Sequence, residues 1–173
     1  DLMGVKSKFS SLTFFENNPA INLSIMALII IGGIGFTTWD DIKTNRHHFQ
    51  RYRMQSKVIL ITTLLLITLP AIYFFFFEFT GRPGANRVLV SLFQSVTTRT
   101  AGFNTIDFGL LSEAGLAIMI FLMLVGGSPG STAGGMKTTT LAVLFSTMLS
   151  VFRRREHTHF FGRSISDDTV RSA

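Results

Sequence analysis

The sequence contains no cysteine among its 173 residues, which excludes both a disulfide framework and a thiolate metal site. Charge is also scarce: charged residues make up 15%, against roughly 25% in an ordinary soluble domain. No serine, histidine and carboxylate are arranged for hydrolysis, so enzyme activity is not expected. What is abundant is apolar, with 47% hydrophobic residues, 18 Phe and a mean hydropathy of +0.40. These features indicate a membrane protein.

Positive charge lies between the apolar runs. The chain carries 16 basic and 10 acidic residues, a net charge of +6. The basic residues concentrate in residues 40–57 and 153–155, and the positive-inside rule places both segments in the cytoplasm. Membrane topology explains this distribution better than nucleic-acid binding does. We therefore expect a multi-pass protein of the plasma membrane.

Three long apolar stretches predict the transmembrane elements. Residues 20–39 and residues 58–77 carry no charge, and as helices each would cross roughly 30 Å of hydrocarbon. Pro70 should kink the second helix, with neighbours satisfying the freed carbonyl. The third stretch, residues 115–152, would be about 57 Å long if straight. A Gly-rich segment at 126–137 interrupts it, and such breaks at membrane depth mark ion or substrate pathways.

Three glycines, Gly32, Gly33 and Gly35, lie in the second half of the first apolar stretch. Small residues let a neighbouring helix or loop come close. Ordinary helix packing is the preferred interpretation of these glycines.

The segment between the second and third stretches predicts a re-entrant loop. Residues 85–97 would form a helix of roughly 20 Å, too short to cross the hydrocarbon comfortably. The polar, turn-prone residues 98–104 follow. Irregular backbone at membrane depth is tolerated only where protein buries it or where it lines a water-filled cavity. A surface loop between two helices is the alternative.

The side of the membrane on which each polar segment lies independently predicts the same re-entrant loop. With residues 40–57 in the cytoplasm, residues 78–87 lie outside. The third stretch must then run from the outside to the cytoplasmic arginines. Residues 85–111 must therefore enter and leave on one face, unless residues 88–111 span the membrane.

The polar stretch also carries a signal of ion chemistry. Thr100-Ala101-Gly102 has the Thr-x-Gly form of a potassium-filter loop, whose backbone carbonyls replace the water shell of the ion. Glycine adopts backbone angles that let successive carbonyls point the same way. We expect potassium to bind to the carbonyls of these three residues, with threonine hydroxyls beside them. The predicted filter comprises Thr98, Arg99, Thr100, Ala101, Gly102 and Phe103.

Arg99 is the unexpected member of this filter, because a cation that faced the ion would repel it. We expect its side chain to point behind the filter and to pair with a carboxylate or with carbonyls. An arginine inside the membrane is costly and usually functional.

The Gly-rich break has a competing interpretation as a phosphate-binding loop. It has one residue too many before Lys137 and follows an apolar helix instead of a strand, so nucleotide binding is not expected. We expect a flexible intramembrane gate loop beneath the filter. Lys137 is predicted to stand near the permeation path, with snorkelling or pairing with an acid of another subunit as the alternative. The predicted gate loop comprises Gly126, Gly127, Ser128, Pro129, Gly130, Ser131, Thr132, Ala133, Gly134, Gly135, Met136 and Lys137.

Three motifs resemble one family. Thr97-Thr-Arg-Thr-Ala-Gly-Phe-Asn-Thr105 resembles the third pore loop of the Trk/Ktr/HKT superfamily of potassium uptake proteins. Residues 126–137 resemble the intramembrane loop of that repeat, and Ile29-Ile-Ile-Gly-Gly-Ile-Gly-Phe36 resembles the second helix of the preceding repeat. The loop sizes and Trp39-Asp-Asp41 are most similar to the membrane subunit of the Ktr branch.

The resemblance implies an all-α membrane protein of helix–pore-loop–helix repeats, with a re-entrant filter loop and a broken second helix. It divides the chain into the tail of one repeat (1–57, with a transmembrane helix at 20–39), a complete repeat (58–155) and a cytoplasmic segment (156–173). It also implies four repeats around one pore, a homodimer, and cytoplasmic nucleotide-binding regulatory subunits as partners. The chain is expected to be a fragment, with three filter segments elsewhere in the protein.

The expected function is potassium translocation through a central pore, with no cofactor in this chain beyond the transported ion. A non-conducting helical scaffold subunit of a membrane complex is one alternative. A secondary transporter with a midplane site is another, since broken helices occur there too.

Overall fold

The computed structural model describes residues 11–46 and 48–153, together with the backbone of residues 159–160 and 163–164. Its helices, in chain order, are α1 (Pro19–Ile34), α2 (Phe36–Asn45), α3 (Met54–Tyr73), α4 (Gly84–Thr97), α5 (Glu113–Leu124) and α6 (Thr138–Phe152). Two short strands, β1 (His159–Phe160) and β2 (Arg163–Ser164), pair antiparallel. The rest of the predicted cytoplasmic segment 156–173 lies outside the described residues, as do residues 1–10.

Among the described residues, one helix is long and apolar enough to cross a membrane, and a bent pair of helices would be a second span if it counts as one. α3 continues into a π-helical segment, Phe74–Glu78, and together they form an apolar helix of 25 residues that is long enough to cross a membrane. α1 and α2 qualify only as a pair, and they are bent by 95° at their junction. α5 and α6 are shorter apolar helices. The chain therefore has the all-α membrane fold that the sequence predicts.

The single helix predicted over residues 20–39 is instead two helices that meet at a sharp bend. α1 ends at Ile34, and α2 leaves the junction at Gly35 at 95°. Gly35 has φ = +84°, a conformation that favours glycine. Beyond this elbow, Trp39 folds back and donates from its indole Nε1 to the carbonyl of Ile31 at 3.0 Å. The absence of charge continues through the turn as far as Trp39, so a charge-free run does not show it.

The second predicted helix is present and starts earlier than residue 58. Its N-terminus is fixed by Asp41, a buried side chain of α2. The Asp41 carboxylate accepts from the N–H of Arg53 (3.2 Å) and from the hydroxyl of Ser56 (2.5 Å). A carboxylate at the positive end of a helix is favourable, so polar residues extend the apolar helix toward α2.

Pro70 lies inside α3 and removes the backbone donor that the carbonyl of Leu66 would otherwise meet. The fully buried Ser95 of α4 lies opposite. Its hydroxyl is 2.7 Å from the carbonyl oxygen of Ile67 and 3.3 Å from that of Leu66. A neighbouring donor therefore reaches the freed carbonyl, as predicted, with its shorter bond to the carbonyl of Ile67. The contact joins α3 to the helix that precedes the predicted filter.

α4 packs between α3 and α1. Its Val90 enters a core cluster with Phe74 of the π-helical segment and Met119 of α5. Its Phe93 and Val96 enter a second cluster with Met26 of α1. Because α4 packs against a helix on each side, it is a rigid support for the predicted filter segment that follows it.

The chain between α3 and α5 begins and ends at one point of the fold. Glu78, at the end of the π-helical segment, accepts hydrogen bonds from the backbone N–H of Ser112 (3.1 Å) and from its hydroxyl. Ser112 in turn caps α5 by accepting from the N–H of Gly115 at 3.0 Å. The excursion through residues 79–111 is therefore closed at its base.

The segment ahead of α1 contacts both arms of this excursion. Asn86, near the start of α4, donates to the side chain of Asn17 (2.8 Å). The carbonyl of Asn104, past the predicted filter, accepts from the N–H of Leu12 (2.8 Å). Both arms thus meet residues 12–17 on the same side of the fold.

Candidate ion-conduction site

The filter loop, residues 98–103, follows the C-terminus of α4 directly. The hydroxyl of Thr97 donates to the carbonyl of Phe103 at 2.6 Å and closes the loop on itself. Thr100 and Gly102 have φ values of +64° and +76°. The left-handed region is unusual for threonine, and its occurrence two residues from a second such angle gives the loop a sharply turned backbone.

The outer part of the filter loop presents free carbonyls. Thr98 and Arg99 are buried, whereas Thr100, Gly102 and Phe103 are exposed. Among the described residues, no hydrogen bond ends on the carbonyl of Thr100, Ala101 or Gly102. A Cβ placed on Gly102 would meet nothing within 4 Å. The predicted carbonyl ligands thus accept from no donor in residues 11–46 and 48–153, and Gly102 lies beside open space.

The hydroxyl of Thr98 is not among the groups on the open side of the filter loop. Thr98 is buried, and its hydroxyl donates back to the carbonyl of Ser95 at 2.9 Å. It therefore supports the end of α4, whereas the sequence had suggested that it lies beside the carbonyl ligands.

Arg99 lies against α1, away from the exposed carbonyls. Its side chain is 5% exposed, and its Nη2 would be 3.6 Å from a Cβ on Gly33. Its Nε and Nη1 are buried, and neither has a hydrogen-bond partner within residues 11–46 and 48–153. The carboxylate or carbonyl partner predicted for Arg99 is therefore not found in the part of the chain that the structure describes.

The base of the gate loop, residues 126–137, joins the two halves of the broken helix. The N–H of Gly126 donates to the carbonyl of Met136 (2.9 Å), and the N–H of Met136 donates to that of Leu124 (3.0 Å). The N–H of Thr138 donates to the carbonyl of Gly127 at 3.1 Å. The break expected within residues 115–152 is present, and these bonds hold its two ends together.

The middle of the gate loop contacts the end of α1. The N–H of Ser128 donates to the carbonyl of Gly33 at 3.0 Å, and the buried Ser128 hydroxyl contacts the carbonyls of Gly33 and Ile34. The N–H of Thr132 donates to the carbonyl of Gly32 at 3.4 Å. The glycines of α1, interpreted from sequence as helix-packing residues, therefore admit a loop.

Lys137 is the N-cap residue immediately before α6, and its side chain turns back into the loop. Its ammonium group donates to the carbonyl of Ala133 at 2.9 Å. The side chain is partly buried and lies beside the gate loop. Its two alternative roles, snorkelling and pairing with an acid of another subunit, stay predictions.

One cavity brings the predicted filter and gate together. It has a volume of about 250 Å³ and opens between α1, the filter loop and the gate loop. The filter residues in its wall are Arg99, Thr100, Ala101 and Phe103, and the gate residues are Thr132 and Ala133. The α1 residues in its wall, which sequence reasoning missed, are Leu28, Ile29, Gly32 and Gly33. The glycine pair was the signal that could have found them.

A family model described as "Cation transport protein", TrkH, matches residues 2–173. The chain belongs to the TrkH family of cation transport proteins. The membership predicted from the motifs is thereby confirmed. The TrkH family is one of transport proteins, and a chain of this family with free carbonyls beside a cavity presents the ligand type that alkali cations take.

Individual relatives of this TrkH-family chain agree with that assignment. It is 40% identical to the potassium/sodium uptake protein NtpJ of Enterococcus hirae, over 98% of this chain and 38% of that protein. It is 36% identical to the Ktr system potassium uptake protein B of Bacillus subtilis, over 90% of this chain and 36% of that protein. The chain thus spans somewhat more than a third of the length of these curated relatives.

A solved structure has the same fold. The potassium transporter TrkH from Vibrio parahaemolyticus matches with a TM-score of 0.72 and 23% sequence identity. The match covers 93% of this chain and 36% of that one.

Proposed function

We propose that the protein to which this chain belongs translocates potassium ions across the plasma membrane through a central pore. Residues 98–103 form one filter segment, and residues 126–137 form the gate loop. The observation that carries the proposal is the cavity at which the free carbonyls of Thr100 and Ala101 meet the gate loop. Carbonyl oxygens can replace the hydration shell of an alkali cation, and in the described part of the chain no donor occupies those of this loop.

The path of the chain supports a re-entrant filter. Glu78 and Ser112 are hydrogen-bonded, so the excursion that carries the filter loop leaves and returns at one level. α4 has 14 residues and is about 21 Å long, shorter than the hydrocarbon core. A helix that enters part-way and an irregular return are compatible with membrane depth only beside a cavity or inside protein.

Potassium is named in both of the relatives described above, and the name of the Enterococcus hirae protein also includes sodium. The assembly we propose follows the family resemblance: the remaining repeats of the same protein complete the filter, and a second copy forms a homodimer. Cytoplasmic nucleotide-binding regulatory subunits bind this dimer. Each of these partners lies outside the present chain.

Gly102→Ser in the full-length protein tests the filter assignment. Gly102 has φ = +76°, so a side chain there strains the loop and turns its carbonyls from their positions. We expect lower potassium uptake or a lower preference for potassium over sodium, measured as ion flux into vesicles with the purified protein. Gly130→Ser is the matched control, because Gly130 also has a positive φ (+72°) and open space around it but lies outside the filter.

The two variants should differ in selectivity. Gly130→Ser should keep the potassium-to-sodium ratio of the wild type. Unchanged selectivity in Gly102→Ser, at equal protein abundance, would contradict the filter assignment. Absence of any flux from the wild-type protein would favour the scaffold alternative, and strict coupling of flux to a second ion would favour the secondary transporter.

A further inference from the structure

The end of α1 leaves backbone carbonyls that need partners. A helix has four C-terminal carbonyls without intrahelical donors, which for α1 are those of Ile31, Gly32, Gly33 and Ile34. Trp39 satisfies the carbonyl of Ile31. The gate loop supplies donors for the other three, through Thr132 to Gly32 and through Ser128 to Gly33 and Ile34. The gate loop belongs to the predicted repeat 58–155, and α1 belongs to the predicted preceding repeat. The gate loop therefore caps the C-terminus of a helix from another repeat.

The contact is close in steric terms as well. A Cβ on Gly35 would lie 2.6 Å from the hydroxyl oxygen of Ser128 and 2.7 Å from the carbonyl of Pro129. A Cβ on Gly127 would lie 3.0 Å from the carbonyl oxygen of Gly33. The elbow and the loop have no room for even a methyl group between them, so neither moves far without the other.

We propose that Ser128 and Thr132 are positioning residues that fasten the gate loop to the α1–α2 elbow, so that the position of the elbow sets the position of the gate. The inference rests on the proposed gating function and adds the element to which the gate is fastened. The base of the gate loop is held by the backbone hydrogen bond between Gly126 and Met136. The middle of the loop can therefore be displaced only if Ser128 and Thr132 leave α1.

A reversible crosslink between Gly32 and Thr132 tests this fastening. A Cβ on Gly32 would lie 3.2 Å from the γ-oxygen of Thr132, near the separation of about 3 Å between a Cβ and the partner sulfur in a disulfide. The chain has no cysteine of its own. The variant Gly32→Cys/Thr132→Cys is made in the full-length protein, with any cysteines outside this chain replaced by serine.

We expect oxidation of the double variant to lower potassium flux at least tenfold and a reductant to restore it. The single variants Gly32→Cys and Thr132→Cys should not respond to the oxidant. Unchanged or increased flux in protein whose crosslink is verified by peptide mass overturns the inference.

A second pair of variants keeps the test decisive if the double variant does not accumulate. Ser128→Ala removes the hydroxyl that contacts the end of α1. The matched control is Ser24→Ala, because the exposed Ser24 hydroxyl donates within α1, to the carbonyl of Ala20 at 2.8 Å, and lies outside both the filter loop and the gate loop. One hydrogen bond is worth roughly a three- to tenfold change in an equilibrium. Ser128→Ala should raise resting flux per molecule by that factor with KM and ion selectivity unchanged, and Ser24→Ala should not. Equal responses, or only a loss of folded Ser128→Ala protein, overturn the inference.

A reference variant separates this inference from the gate itself. Shortening the loop within residues 128–133 should raise flux if the loop is a gate. If shortening raises flux but the verified crosslink does not change it, the gate-loop assignment is supported and the proposed role of Ser128 and Thr132 is wrong. If shortening leaves flux unchanged in folded protein, the gating part of the proposed function is wrong, and the inference fails with it.

Discussion

The filter loop and the gate loop are built from similar residues, yet their backbone hydrogen bonds end in different places. In the filter loop the carbonyls of residues 100–102 meet no protein donor among the described residues, and Gly102 borders open space. In the gate loop, the donors of Ser128 and Thr132 reach the carbonyls of another helix. Glycine and threonine content alone does not distinguish a ligand-presenting loop from a helix cap, whereas the partner of each backbone group does.

The largest effect should come from filling the packed base of the gate loop. A Cβ on Gly126 would overlap the carbonyl oxygen of Gly134. Because that atom is backbone, Gly126→Ala should destabilise the protein by about 3 kcal/mol or more, or prevent folding. Thermal unfolding in detergent measures the change. Gly134→Ala, where a Cβ meets nothing within 4 Å, should stay near the wild type. Equal stability of the two variants would contradict the packing described for this loop.

The next effect compares two glycines of positive φ directly. Gly35 (φ +84°) faces the gate loop, and Gly102 (φ +76°) faces open space. Alanine should cost about 1–2 kcal/mol at either position from backbone conformation alone. Gly35→Ala should cost a further 1–3 kcal/mol or so, because its Cβ meets Ser128 and Pro129. The same unfolding assay tests the order, and a larger loss for Gly102→Ala would show that the elbow is not packed as described.

The smallest effect concerns the support of the filter. Ser95→Ala removes the donor to the α3 carbonyls near Pro70, which should destabilise the protein by about 1–2 kcal/mol. The control is Ser91→Ala, since the equally buried Ser91 donates only within its own helix, to the carbonyl of Arg87. If the unfolding free energies of the two variants differ by less than about 0.3 kcal/mol, water or another group donates to the α3 carbonyls in place of Ser95.

Local patterns predicted much of this fold. The short helix α4, the irregular filter loop and the break between α5 and α6 follow from run length and from glycine content. The elbow at Gly35 did not follow, because the residues on both sides of it are uncharged and the loop that packs against it lies almost a hundred positions later. Contacts between distant segments decide such features, and one sequence does not display them.

The site was predicted to a similar extent. Gly102 was singled out for its conformational freedom, and its positive φ agrees with that reasoning. The burial of the Thr98 hydroxyl and the contact of Arg99 with Gly33 depend on how the loop lies against α4 and α1. The coordination of potassium by residues 100–102 stays a prediction.

The cap on α1 also has a consequence for the order in which the chain is made. The carbonyls of Gly33 and Ile34 find their partner in Ser128, 94 or 95 positions later in the sequence. At about 5–20 residues per second, that partner emerges roughly 5–19 s after the end of α1. Unpaired carbonyls are not stable in hydrocarbon, so this end of α1 must remain hydrated or be held by another protein during that interval. The end of α1 therefore reaches its described set of partners only after the gate loop has been made.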